Sequence, residues 1–435
     1  MLLRSLVPPA ALATVALLFA MSGPSHAHRT APYYGLVARV DSDGYAPRPK
    51  WENMPGVPAT FLRASYAPGE TATFVLWRSE GPLTARVYHC GPESTPTLGN
   101  VTMNGVPATA AWGVHATRAH VPVRLHVGSW ASGLYFVRLQ AADGRIGFAP
   151  FVVRPSNLGE RRVLVVLPTF TWQAYNFRDD DHDGIGDTWY ANWNRHTARL
   201  ARPFLARGVP PHFYRYDLPF LHWLARTGKQ ADVIADQDLN AVASGDVLRR
   251  DYPLIVFPGH HEYVTTHEYD VVERYRDLGG NLLFLSANDF FWHIDLRGNV
   301  MTRTAEWRDL GRPESALVGV QFIGTDGGYH RGSWHVEDTS PSWIFAGTGL
   351  HEGSDLSSAG IEIDHTTSSS PKGIRVLAEI PHLFGPRFTA QMTYYETRAG
   401  AHVFAAGAFS LASVAGEPQV SQLLDNLWTR LSLEL

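Results

Sequence analysis

From about residue 56 to 156 apolar and polar side chains alternate in short runs, among them Thr71–Trp77, Ala85–His89, Val121–Val127 and Gly133–Leu139, with turn residues between them. A two-residue period sends alternate side chains to opposite faces, so each run reads as a half-buried strand. Short strands at this spacing predict a β-sandwich of about one hundred residues. After a joint at 157–160 the pattern changes: Val163–Leu167, Leu254–Phe257 and Leu282–Leu285 are continuous apolar runs, as expected of strands buried on both faces of a parallel sheet. Helical periods lie between them, at Thr197–Ala206 with Pro203 inside it, and at Thr266–Leu278, stopped by Gly279 and Gly280. Residues 312–405 return to shorter strands, and Val403–Ala406 re-enters the sheet. Val420–Leu433 forms a last helix with Leu423, Leu424, Leu427 and Leu431 at helical spacing. The expected fold class is α+β in two domains: a β-sandwich over 56–156, then a doubly wound α/β domain over 157–435, of the glutamine-amidotransferase-like or flavodoxin-like kind.

The first residues carry a different signal. Arg4, the apolar run Val7–Met21 and the small residues up to Ala27 have the pattern of a secretory signal peptide cut after Ala27. The run is too short to span a membrane comfortably. A secreted or periplasmic protein without a membrane span after cleavage is therefore expected, with 28–55 as an extended arm. The formal net charge of −4 shows no basic stripe and argues against nucleic acid as a partner. Cys90 is the single cysteine, so an internal disulfide is excluded. It ends a strand in Val87–Gly91 without a convincing catalytic neighbour, which assigns it to packing.

In open α/β sheets, ligands bind beyond the carboxyl ends of the strands. There the three buried strands deliver Pro168–Asn176, Pro258–Tyr263 and Ser286–Trp292, rich in polar and aromatic side chains. His261 and His267 are six apart, not the four that a zinc-protease helix needs. A Gly-x-Ser-x-Gly elbow is missing from these loops. What remains is Glu262 with His260, His261 and nearby tyrosines, which suits a metal or an acid–base site. Each residue also has an ordinary structural explanation. Tyr135 in an alternating strand is usually packing, Tyr175 could cap a loop, Glu262 could pair with Arg308, and His260 and His261 could bond backbone carbonyls.

Four stretches, Ser132–Leu139, Thr171–Asn176, Gly259–Tyr263 and Ser286–Asp289, resemble in order and spacing the C-terminal part of the large (catalytic) subunit family of N,N-dimethylformamidase. The resemblance runs from about residue 60 to the C-terminus. It implies a mononuclear ferric ion held by Tyr135, Tyr175 and Glu262, with His260 and Asn288 as catalytic or substrate-orienting groups. Phenolate and carboxylate are hard anionic ligands suited to Fe(III), which would polarise an amide carbonyl and acidify water. His260 would move a proton to the leaving amine, and Asn288 would orient the carbonyl or the developing oxyanion. The resemblance implies a small-molecule amide substrate and leaves open a homo-oligomer or a small partner subunit.

Directly after Asn176 the chain departs from that family. Asp179, Asp181, Asp183 and Asp187, with the Ile185 carbonyl, form an oxygen-rich calcium (Ca2+) pattern around Gly184, with Tyr190 where an EF-hand has its twelfth-position Glu. A solvated acidic turn is the plain alternative. The leading expectation is an exported ferric amidohydrolase. A non-catalytic, calcium-stabilised carbohydrate- or surface-binding protein is the alternative, and zinc on His260, His261 and His267 a weaker third. Roles for Glu362, Asp364 and Glu396 stay open.

Overall fold

The computed structural model describes residues 56–326 and 330–433. The expected targeting segment and extended arm lie outside the described residues. The expected strands of the first hundred residues form two sheets. One has three strands, Ala59–Phe61, Thr71–Leu76 and Val121–His126. The other has six and is centred on Gly81–His89, Gly133–Ala141 and Ile146–Val153. Phe61, Phe74 and Leu76 from the first sheet meet Val87, Tyr135, Val137 and Phe151 from the second in one apolar core.

Beyond the joint the protein remains mostly β. Strands Asp232–Ala235, Val163–Leu167, Leu254–Phe257, Asn281–Phe284 and His402–Ala405 lie side by side in that spatial order, and every neighbouring pair is parallel. Their continuous apolar runs follow from burial on both faces: Val163 and Val165 point into one core, Leu164 and Val166 into another. The helix Thr266–Asp277 covers the second core with Tyr269, Val272 and Tyr275, and the helix Pro418–Leu433 covers the first with Leu423, Leu427 and Leu431. Thr265 caps the former helix: its hydroxyl accepts from the Glu268 amide, and the Glu268 carboxylate accepts from the Thr265 amide.

The doubly wound α/β domain expected over 157–435 is not what forms, because the parallel strands are five of eleven in one mixed sheet. The sheet continues through Ala390–Glu396, Arg375–Ile380, Arg331–Val336, Asp355–His365 and Gln321–Thr325, all antiparallel, to make eleven strands with the short Ala408–Phe409. The helix expected at Thr197–Ala206 is absent. Thr197–Arg199 is instead a strand paired with Val300–Thr302. Ala201 takes a positive φ and Pro203 follows, and a proline within a helix loses a backbone donor and clashes with the preceding turn. Among the described residues no helix is long and apolar enough to cross a membrane.

Candidate metal and acid–base centre

The three segments expected to converge do so, just beyond the ends of the parallel strands. Pro168–Asn176 contains a short helix, Thr169–Ala174. Its Thr171 hydroxyl accepts from the Glu262 amide at 3.2 Å. The loop after Leu254–Phe257 is tied to the next one: the Phe290 amide donates to the His261 carbonyl at 2.7 Å, and the Trp292 amide to the Glu262 carbonyl at 2.8 Å. The Asp289 carboxylate accepts from the His261 amide at 2.9 Å. Gly259 is required here, because a Cβ would sit 2.6 Å from Asp217 Oδ1 and 2.8 Å from the Pro168 ring. Asn288 and Phe290 hold positive φ, a cost concentrated where the loop turns its side chains inward.

Oxygen atoms gather around Tyr190. Its hydroxyl lies 2.9 Å from the Tyr175 hydroxyl, 2.8 and 2.9 Å from the two Glu262 carboxylate oxygens, and 2.5 Å from the Tyr263 hydroxyl. The Tyr175 and Tyr190 rings stack at 4.2 Å. Tyr263 accepts from the Trp189 indole N–H at 3.0 Å, and burial pushes its pKa well up, so it stays a neutral phenol able to donate to Tyr190. Tyr190 has one proton to share among two carboxylate oxygens and its phenolic neighbours. Tyr175, Tyr190 and Glu262 thus make an oxygen-only set of two phenols and a carboxylate, donors of the kind that fit a hard cation.

An acid–base group borders this set. His260 Nδ1 donates to the Ala287 carbonyl at 3.0 Å, since a carbonyl can only accept. Its Nε2 lies 3.2 Å from Glu262 and 3.3 Å from Glu362, an ion-pair distance from both carboxylates. Burial opposes a charged imidazole at His260, but the two carboxylates outweigh it and push its pKa up to about 10. Glu362 is pushed up to about 7 by burial, against the pull of His260. Asn288 Nδ2 donates to Glu362 at 3.0 Å, and the Asn288 amide donates to Asp364. Burial raises Asp289 and Asp217 to about 7 each. The buried atoms Asn288 Oδ1, Asp289 Oδ2 and Asp217 Oδ1 have no hydrogen-bond partner among the described residues. Such a concentration of unsatisfied groups is what a ligand site leaves in a folded core.

Of the residues expected from sequence, Tyr175, Glu262, His260 and Asn288 come together, as does Glu362. Tyr135 lies apart: its hydroxyl donates to the Ala131 carbonyl at 3.0 Å, and its ring packs between His89 and Trp130 in the sandwich. The histidines considered for zinc do not converge. His261 Nδ1 faces the Gly259 carbonyl and His267 Nε2 the Val242 carbonyl, and burial drives His261 down to about 3, hence neutral. Arg308 pairs with Glu314 and Glu306 rather than with Glu262. Glu396 accepts from Tyr394 at an exposed strand end. In the acidic loop, Asp179, Asp181 and Asp187 bring carboxylate oxygens within 4.8 Å of one another, whereas Asp183 accepts from the Ile185 amide of its own turn. Cys90 is buried in the main core, as a packing residue should be. Tyr190 and Tyr263 were not singled out as site residues by the sequence. The one signal for Tyr190 was a tyrosine standing where the acidic loop lacks its glutamate.

Comparison with known proteins agrees with the resemblance. The chain is 26% identical to the N,N-dimethylformamidase beta subunit of Paracoccus aminophilus over 204 residues, covering 38% of this chain and 26% of that protein. Against the N,N-dimethylformamidase beta subunit of Alcaligenes sp it is 33% identical over 204 residues, with the same coverage of 38% and 26%. The match thus spans about a quarter of the length of these relatives. Among solved structures, an uncharacterized Bacillus anthracis protein aligns at a TM-score of 0.17 and 8% identity, over 21% of this chain and 78% of that one. A Paenibacillus cycloisomaltooligosaccharide glucanotransferase aligns at 0.18 and 7%, over 81% and 69%. Neither is close enough to carry an argument about fold. The family described as N,N-dimethylformamidase beta subunit-like, C-terminal, matches residues 62–415, and the chain belongs to it.

Proposed function

We propose that this protein is a ferric-ion-dependent hydrolase of a carbon–nitrogen amide bond, with the ion held by Tyr175, Tyr190 and Glu262. The observation that carries this reading is the gathering of the Tyr175, Glu262 and Tyr263 oxygens within 2.9 Å of the Tyr190 hydroxyl. In it, Tyr190 takes the place that resemblance alone gave to Tyr135. When bound, a trivalent ion there supplies Lewis acidity toward an amide carbonyl and lowers the pKa of water. The protein's own groups do the rest. Glu362, steadied by Asn288, accepts a proton as a water oxygen attacks the carbonyl carbon. His260 Nε2 gives a proton to the nitrogen as the carbon–nitrogen bond breaks, so that acid and amine leave. The names of the relatives support a small linear amide as substrate class and an assembly with another subunit. The N-terminal pattern supports action outside the cytoplasm.

Metal analysis with a visible spectrum tests this on wild type, Tyr175→Phe, Tyr190→Phe and Tyr135→Phe. The expected result is iron stoichiometric with the chain, and a phenolate-to-iron band that weakens in the first two variants and persists in the third. Colourless wild-type protein after expression with ample iron would overturn the reading and favour a binding protein without catalysis.

A further inference from the structure

We propose that the loop Asp179–Asp187 is a calcium site, with the carboxylates of Asp179, Asp181 and Asp187 as its core ligands. Three oxygens, one from each, lie within 4.8 Å of one another. The loop backbone grips all three carboxylates: Asp179 Oδ2 accepts from the Gly184 amide at 2.9 Å, Asp187 Oδ2 from the Asp180 amide at 2.8 Å and Asp181 Oδ1 from the Asp183 amide at 3.2 Å. Asp179 and Asp187 are each only 7% exposed, and Asp179 Oδ1 is buried without a hydrogen-bond partner. An unpartnered carboxylate oxygen out of water is costly unless something cationic meets it.

Charge selects the ion. Arg195 reaches two of the three carboxylates, bonding Asp187 Oδ1 and standing 3.5 Å from Asp181 Oδ2. Both of these Arg195 contacts go to Asp181 and Asp187, not to Asp179. Asp180, in the same loop, is taken by Arg178 at 2.6 Å. Three carboxylates against one guanidinium leave an excess of two negative charges, which one divalent cation neutralises. Donors that are all oxygen, on an irregular loop rather than a rigid element, favour calcium over magnesium, which demands a tight octahedron and keeps its water.

The ion also has a purpose in the fold. Asp187 is followed by Thr188, whose hydroxyl bonds the Ala174 carbonyl, then by Trp189 and Tyr190. Fixing Asp187 therefore fixes the segment that delivers Tyr190 to the oxygen cluster. This second role rests on the Tyr190 reading above, whereas calcium binding does not.

The test is calorimetric titration of calcium, with magnesium as comparator, into the full chain stripped by chelator, alongside melting curves. Asp181 is exposed, so Asp181→Asn keeps the fold, and Arg195→Ala removes the competing cation. The expected result is one calcium per chain in wild type, a higher melting temperature with calcium, and affinity weakened about tenfold or more in Asp181→Asn. Arg195→Ala should bind calcium at least as tightly as wild type. Absence of calcium binding in wild-type and Arg195→Ala proteins with native circular dichroism would overturn the proposal and leave Arg195 as the resident cation. Magnesium binding as tight as calcium would overturn the choice of ion. In iron-loaded protein, a visible band that changes on calcium removal supports the link to Tyr190. Calcium binding with an unchanged band refutes that link alone. Calcium binding without any band refutes the iron reading and leaves the calcium site standing.

Discussion

Tyr175 and Tyr135 are both tyrosines in motifs of the same resemblance, yet they are in opposite situations. Tyr175 stacks on Tyr190 within hydrogen-bond reach of its hydroxyl. Tyr135 is wedged among aromatic rings of the sandwich, where burial pushes its pKa up to about 12 and favours the neutral phenol over a phenolate. Tyr190→Phe should therefore weaken the iron-dependent colour, while Tyr135→Phe should keep it and lose only the bond to Ala131, at about 1 kcal/mol of stability. Glu362 allows a separation of chemistry from metal binding. It touches His260 and Asn288 but none of the proposed phenolate ligands. Glu362→Gln should lower kcat by roughly a hundredfold to ten-thousandfold at unchanged iron content. Loss of iron in that variant would instead make Glu362 part of the ligand set.

At the scale of elements, what could be read from sequence was what local pattern determines. Val163–Leu167 and Leu254–Phe257 are strands over the expected residues because both faces are buried, and the helix Thr266–Asp277 begins at its cap and stops before Gly279. Thr197–Arg199 was misread because its partner strand, Val300–Glu306, lies about a hundred residues away and local periodicity does not report it. The site divides in the same way. His260, Glu262 and Asn288 follow strand ends directly and Tyr175 ends the one short helix after a strand, so sequence places them. Tyr190 reaches the cluster only because the acidic loop folds back, and Glu362 comes from an antiparallel strand of the sheet's far half. The helix Thr266–Asp277 and the short helix Asp236–Leu239 also set up a pH response. Burial raises Asp236 to about 8 and Glu268 well above its ordinary value. An acid whose pKa is higher folded than unfolded adds stability in full below its unfolded pKa, near about 4, and that stability is lost as pH rises through the folded value. The midpoint of urea unfolding should fall between pH 4 and pH 8, and Asp236→Asn should flatten the curve. An equally steep curve in the variant would place the effect elsewhere.

The whole molecule is joined through two neighbouring strands of the sandwich, Gly133–Ala141 and Ile146–Val153, whose side chains divide between the two cores. Along Gly133–Ala141, Tyr135, Val137 and Leu139 face the sandwich core, while Leu134 and Phe136 face the main core with Val165, Trp172, Phe204 and Val233. The hydroxyl of Ser132, just before that strand, accepts from the Val233 amide at 2.7 Å and shares its one hydrogen between the Val153 carbonyl at 3.0 Å and the Val233 carbonyl at 3.2 Å, so it is stitched to the edge of the parallel sheet. A second tie runs from the Ser65 hydroxyl to Asp238 at 2.6 Å. The Ser132–Leu139 stretch, which resembles a ligand-bearing motif, thus serves the join between the two halves, one side of which carries the short helix that leads to Tyr175. Two halves that share a core should melt together, since neither can open without exposing the apolar face of the other. Calorimetry should show a single transition. Phe136→Ala, which empties the main-core side of the first shared strand, should lower stability by about 3–5 kcal/mol without splitting that transition. Two separated transitions in wild type would mean that the sandwich is a passenger. In that case, removing it should leave the oxygen cluster able to take up iron.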